Sequence, residues 1–316
     1  MSLLTTKQVN SLNRSWRISR DMSIGDRLSK LDTDGTIQPA GFGTVRYVNS
    51  ATGNNSNDGL SSGSPFLTIT AALADSAAGD TVAILGSFSE AVTCNKAGVS
   101  FIGMGTGPVG ATWTAPTVAA SFCLSLTAAN CLVANIKFRP VIYTTSGTPS
   151  AILLGNASYT RIIGCRFQGQ TGSYAAIYSP VCNSDNVEVI GCEFVYMNTT
   201  TYGAAILGVE AGGLSYSAWK ITGNYFTSCV TAINICGRAC VIEDNHFAIN
   251  GVSAAGAVGA VCTKALDLSG TAGGANNVHG NFLGGAYGVS LYVVGATGDD
   301  WAGNFNIAGI TAGNPS

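Results

Sequence analysis

An all-β solenoid of stacked parallel strands is the fold this sequence predicts, and three observations predict it. A seven-residue phrase keeps returning: Leu132–Phe138 (LVANIKF), Arg161–Phe167 (RIIGCRF), Glu188–Phe194 (EVIGCEF), Lys220–Phe226 (KITGNYF) and Val241–Phe247 (VIEDNHF), with weaker copies at Asn277–Leu283 (NVHGNFL) and Asp300–Asn306 (DWAGNFN). Units repeating at this spacing stack, each burying its apolar side only against its neighbours. Within the phrase the apolar residues alternate with polar ones at a period of two, which is a strand period and not a helical one. Thirdly, the fifth position is held by Cys165, Cys192, Asn224, Asn245, Asn281 and Asn304, a column of the kind stacked sheets use as a hydrogen-bonded ladder.

Each position of the phrase has its own physical role. The second (Val133, Ile162, Val189, Ile221, Ile242, Val278, Trp301) and the seventh (Phe138, Phe167, Phe194, Phe226, Phe247, Leu283, Asn306) point inward. The first (Arg161, Glu188, Lys220) and the sixth (Lys137, Arg166, Glu193, Tyr225, His246) point outward, where their alternating charges form a surface ion-pair ladder. The fourth is glycine in most copies and marks a bend, so each phrase is two short strands meeting at a corner. An inward Asn at that corner needs partners for its amide, which the neighbouring rungs supply. Successive phenylalanines lie 29, 27, 32 and 21 residues apart, room for one coil of rungs about 4.8 Å apart with loops of variable length. The third column, also outward, begins with Ile163 and Ile190 before turning polar at Thr222, Glu243 and His279; with Tyr174, Tyr178, Tyr196, Tyr202 and Tyr216 in loops, it predicts a buried subunit interface at Ile163 and Ile190.

Ahead of the repeats the chain changes character. Residues 1–31 hold six basic and two acidic side chains, a net +4, against a net −6 for the remainder, and the whole chain has only 10% charged residues. Thr5 and Gln8 have capping-box spacing, Val9, Leu12 and Trp16 share a helical face, and Ser23 opens a second helix carrying Ile24, Leu28 and Leu31. This basic helical arm is expected to anchor the protein to a partner through Arg14, Trp16, Arg17, Arg20 and Arg27, with residues 32–43 as linker and 44–316 as solenoid. The acidic body argues against nucleic acid as that partner. Pro65 opens a helix near 66–78 with Phe66, Ile69, Leu73 and Ala77 on one side, suited to cap the first rung.

The order Tyr47-Val48, Asp58-Gly59, Pro65-Phe66, Thr68-Ile69, Ala72-Leu73, Gly79-Asp80, Phe88, Glu90, Val99–Gly103 resembles the opening coils of single-stranded right-handed parallel β-helices of the pectate-lyase-like superfamily, which includes phage tailspikes. The resemblance spans about residues 44–306. The basic arm resembles the particle-binding segment of phage spike and head-decoration proteins. It implies a homotrimeric virion protein, folded in the host cytoplasm, that protrudes from the capsid or tail and is anchored there by residues 1–31; with no large domain after the coil, head decoration is the expectation. The second reading is a tailspike-like protein that binds or depolymerises host glycan.

Catalytic signals are sparse. Gly298-Asp299-Asp300 is one echo of a polygalacturonase-like hydrolase, without that family's Asn-Thr-Asp, Gly-His-Gly or Arg-Ile-Lys. Carboxylates gathered from different rungs for acid and base work would be Asp185, Glu188, Glu193, Glu210, Asp299 and Asp300. Cys236 and Cys240 lack the second pair or ligand-spaced histidine that zinc requires, so no metal and no cofactor is expected. No segment approaches the length of a membrane helix, no secretory signal is evident, and buried free thiols in a reducing compartment are expected.

Overall fold

The computed structural model describes residues 30–31, 37–38, 43–105, 110–116, 122–140, 150–169, 175–197, 204–210, 213, 215–248, 264–284, 292–293 and 298–306. It divides into two units, residues 1–43 and 44–316. In the first, Lys30–Leu31 pairs antiparallel with Ile37–Gln38. Leu31 is thus a strand residue rather than helical, and the expected linker contains a strand. Arg14, Trp16, Arg17, Arg20 and Arg27, with the expected helical arm, lie outside the described residues.

The second unit is a single-stranded parallel β-helix. Its first sheet runs from Val45–Asn49 through Thr81–Ser89, Ser100–Gly103, Leu132–Ala134, Arg161–Ile163, Glu188–Ile190, Lys220–Thr222, Val241–Glu243 and Asn277–His279 to Asp300–Ala302. A second sheet joins the latter half of Thr81–Ser89 to Ala111–Thr114, Lys137–Arg139, Arg166–Gln168, Glu193–Val195, Tyr225–Thr227, His246–Ala248, Phe282–Gly284 and Phe305–Asn306. A third stacks Val92–Cys94, Phe122–Leu126, Ser150–Leu154, Ala175–Ser179, Ala204–Gly208, Thr231–Ile235, Lys264–Asp267 and Tyr292–Val293. Every pairing among these strands is parallel and carries each phrase onto the next without a slip, since a one-residue slip would turn every inward side chain outward.

The recurring phrase is the corner between the first and second sheets. Its fourth position is left-handed in every copy: Gly164, Gly191, Gly223, Gly280 and Gly303 at φ of 59–64°, and Asn135 and Asp244 at 57° and 55°. Glycine, asparagine and aspartate are the residues that tolerate this region, which explains the column. The residue two positions before the phrase is left-handed too, as at Asn130, Tyr159, Asn186, Ala218, Ala239 and Ala275. These two reversals bracket the first-sheet strand and fix the shape of the coil.

The core follows from the columns. Trp113, Phe138, Phe167, Phe194, Phe226 and Phe247 form one interior stack, with centroids 5.7, 5.3, 4.9, 4.7 and 5.0 Å apart and the later rings within 6–11° of parallel. The fifth-position Asn ladder runs beside it. The Nδ2 groups of Asn224, Asn245 and Asn281 each donate to the Oδ1 of the next Asn at 3.0 Å. They also donate to Val189, Ile221 and Ile242 carbonyls on the previous rung at 2.9 Å. Every Asn is buried, so each satisfied amide avoids a desolvation cost of about 1–3 kcal/mol. The thiols of Cys165 and Cys192 occupy the same slots, directed at the Val133 and Ile162 carbonyls.

A helix, α1 (Ile69–Asp75), covers the first rung. It is shorter than the sequence suggests: Thr68 caps it by accepting from the Ala71 N–H, Ser76 ends it, and Ala77 lies outside it, exposed. Ile69, Ala72 and Leu73 are its buried face. Two tyrosines expected in loops lie buried in strands instead. Tyr216 is buried with its hydroxyl donating to the Ser179 and Val209 carbonyls at 2.6 and 3.0 Å, and packs edge-on against buried Trp219. Tyr178 lies in a small apolar cluster with Ala175, Ala204 and Leu207 on the third sheet. Tyr174 and Tyr202 lie outside the described residues. Ile190 is only 6% exposed within a single chain, so of the expected interface pair Ile163 alone is half-open to solvent.

Candidate functional site

Most of the proposed carboxylates have a hydrogen-bond or ion-pair partner of their own. Glu188 accepts from Arg161 at 2.6 Å and Glu193 pairs with Arg166 at 3.2 Å, both on neighbouring rungs at the surface. Asp185 accepts from the Ser217 N–H at 2.8 Å and ties one coil to the next. Glu210 accepts from the Thr271 hydroxyl at 2.6 Å and its N–H at 2.8 Å; these two bonds, the hydroxyl first, hold its pKa below the usual carboxylate range. Asp300 begins a strand and lies 3.2 Å from His279 Nε2.

Asp299 is tied into the corner that precedes the first-sheet strand. Its Oδ1 accepts from both the N–H and the Nδ2 of Asn276 at 3.0 Å, while Asn276 in turn accepts from the Cys240 N–H. Cys240, Asn276 and Asp299 therefore build a second, shorter ladder at the corner before the first sheet. Burial raises the Cys240 thiol to about 12, against the lowering effect of the Trp219 backbone. Among the described residues no group of three or more His, Cys, Asp or Glu side chains is placed to hold a metal ion.

What the register does bring together is the outer face of the second sheet. The sixth-position column reads Thr112, Lys137, Arg166, Glu193, Tyr225, His246, Phe282, Phe305 on successive rungs. Its last four members are rings. Tyr225 meets His246 edge-on at 5.0 Å and 77°, and His246 meets Phe282 edge-on at 4.6 Å and 78°. Tyr225 is 37% exposed and Phe305 63%. Edge-to-face contacts fix these rings to one another, each contact taking one face of one ring, while Tyr225 and Phe305 keep part of their surface open to solvent. The neighbouring outward column narrows alongside them to Thr227, Ala248 and Gly284, so a ridge of rings borders a floor of small residues. The Thr227 Oγ1 on that floor is shielded from solvent and has no hydrogen-bond partner among the described residues.

The opposite end of the same face is cationic. Lys137 and Arg139 lie on one strand, Arg166 is Lys137's neighbour across the ladder, and Glu193 is the counter-charge, paired to Arg166. The Lys137 pKa is lowered, by burial first and then by Arg139 and Arg166. Tyr225 and His246 were visible in the sequence as outward residues, but Phe282 and Phe305 extend the column through its weakest copies, and Arg139 lies just outside the phrase. Reading the sixth column into the last two copies gives Phe282 and Phe305, and aligning the copies one residue further gives Arg139.

No protein-family model matches the chain, and no curated protein matches it in sequence. Among solved structures it is similar to a GH136 lacto-N-biosidase from Eubacterium ramulus, in its selenomethionine derivative (14% identity, TM-score 0.50, covering 96% of this chain and 68% of that one) and its native form (14%, 0.49, 83% and 63%). A pectin methylesterase from Aspergillus niger is similar at 15% identity and a TM-score of 0.47, covering 83% of this chain and 85% of that one. The chain thus spans about two thirds of the length of the lacto-N-biosidase. At these identities the likeness is one of fold, that of the parallel β-helix.

Proposed function

We propose that this protein binds polysaccharide along the outer face of the second sheet. The observation that carries the reading is the ridge of Tyr225, His246, Phe282 and Phe305 beside a floor of small residues. Sugar rings present C–H faces that pack on aromatic side chains, while their hydroxyl rims stay solvated. The ridge is one side chain wide and runs along the stacking axis. A linear polymer fits such a track, whereas a stable protein partner needs about 800 Å² of broad contact on each side.

The head-decoration reading rests on the N-terminal arm, which lies outside the described residues, and the geometry favours the glycan reading over it. The reading is one of binding, since Glu193, the candidate carboxylate on this face, is engaged by Arg166. The test is affinity electrophoresis of the full chain through gels cast with soluble polysaccharides, alongside Phe282→Ala and Tyr225→Ala. Retardation of the parent by at least one polymer, weakened in both variants, is expected. Equal mobility of parent and variants in every polymer would refute the assignment. Viscometry of the retained polymer reports any depolymerisation directly.

A further inference from the structure

Three cations at the start of the second-sheet face remain under-compensated. Like charges set side by side across a ladder destabilise it, yet Lys137 and Arg166 are in-register neighbours and Arg139 shares Lys137's strand and face. Glu193 lies against Arg166, and neither Lys137 nor Arg139 has an ion pair among the described residues. The Arg139 Nε is screened from solvent and makes no hydrogen bond among the described residues. The connections that follow these strands offer no relief, because residues 117–121, 141–149 and 170–174 contain no Asp or Glu.

We propose that Lys137, Arg139 and Arg166 form an anion-recognition site for an acidic substituent, a carboxylate or sulfate, on the bound glycan. This rests on the glycan reading above. A guanidinium presents a planar fork that suits an oxyanion bidentately, and a lysine beside it adds a mobile point charge. An anion seated here would relieve the repulsion between Lys137 and Arg166. Glu193 separates this cationic end from the rings two rungs on. The ligand is therefore an acidic heteropolymer whose charged residue sits at the Lys137 end and whose other sugars lie over Tyr225 to Phe305.

The experiment compares alginate (carboxylate), a heparin-type glycan (sulfate) and neutral dextran as ligands for the full chain, for Lys137→Ala/Arg139→Ala and for Phe282→Ala. Both exchanged cations are partly solvent-facing, and circular dichroism melts check that the variants fold. One charged polymer is expected to bind about tenfold or more tighter than dextran. That preference should vanish in the double alanine variant and in high salt, while Phe282→Ala weakens all polymers alike. Which charged polymer is preferred separates carboxylate from sulfate. Charge-blind binding, or a preference that survives the double substitution, would overturn the site. If the parent binds no polymer, the glycan reading falls, and inorganic sulfate then reads the cluster alone. A sulfate-induced rise in melting temperature lost in the double variant keeps an anion site; no such rise removes it.

Discussion

Glu90 and Lys96 grip opposite ends of α1. The Glu90 carboxylate accepts from the Ile69 and Thr70 N–H groups at 3.0 Å and from the Thr70 hydroxyl at 2.6 Å. The Lys96 ammonium donates to the Leu73, Ala74 and Ser76 carbonyls. Negative charge at the helix N-terminus and positive charge at its C-terminus both complement the helix dipole and satisfy groups the short helix cannot. Trp113 fixes the Glu90 backbone by donating to its carbonyl at 2.9 Å, so the grip is anchored to the aromatic stack. Glu90→Ala is expected to cost about 1–2 kcal/mol. Urea unfolding measures it, and a change within error would mean that Thr68 alone holds the cap.

The cysteine rungs of the Asn ladder are its weak ones. Asn224 Oδ1 accepts from the Cys192 N–H at 2.8 Å, whereas the Cys192 thiol is a weaker acceptor than an amide oxygen for the Cys165 N–H. Cys192→Asn would supply that acceptor while its Nδ2 keeps the Ile162 carbonyl. A gain of about 1 kcal/mol is expected, visible as a higher urea midpoint with an unchanged slope. A loss would show that the cavity around residue 192 is too tight for an amide.

Ala218, Ala239 and Ala275 sit at φ of 53–55°, where a Cβ is strained by about 1–2 kcal/mol. Ala239→Gly should release that strain and outweigh the added freedom of the unfolded chain, raising the melting temperature. Gly164→Ala, at φ 59°, should do the reverse, although its Cβ would meet no atom within 4 Å. Equal melting temperatures for the two variants would refute a backbone origin for the fourth-position column.

Asp267 gives a pH signature. Burial alone would raise its pKa, but hydrogen bonds from Lys264 at 2.7 Å and from the Ser269 hydroxyl at 2.6 Å outweigh burial and lower it. A carboxylate whose folded pKa is depressed adds stability above its unfolded value of about 4, and that stability is lost as pH falls through the folded pKa. Asp267→Asn should flatten the acid limb of the stability curve. An unchanged limb would place its origin at other carboxylates.

The parts legible in the sequence were those that the repeat itself writes. Phe167 and Asn224 recur at one position, so their stacking follows from the fold class. The grip of Glu90 and Lys96 has no period, since it joins single residues across one coil to a helix that occurs once. Tyr216 and Trp219 were misplaced or unread because a ring in an unrepeated stretch looks the same whether it faces water or core. The third sheet escaped notice because its strands, such as Ser150–Leu154 and Ala175–Ser179, carry no marker residue, only a short apolar run.

The connections from the second sheet to the third are where coil lengths diverge: residues 228–230 span one, 249–263 another. The phrase between the first two sheets holds seven residues in every copy. One edge of the molecule is thus a fixed hinge and another an open margin. Evolution or an engineer can add, trim or exchange whole segments at that margin while pitch, register and interior stay untouched. A library grafted there would vary what borders the second-sheet face and leave the scaffold constant.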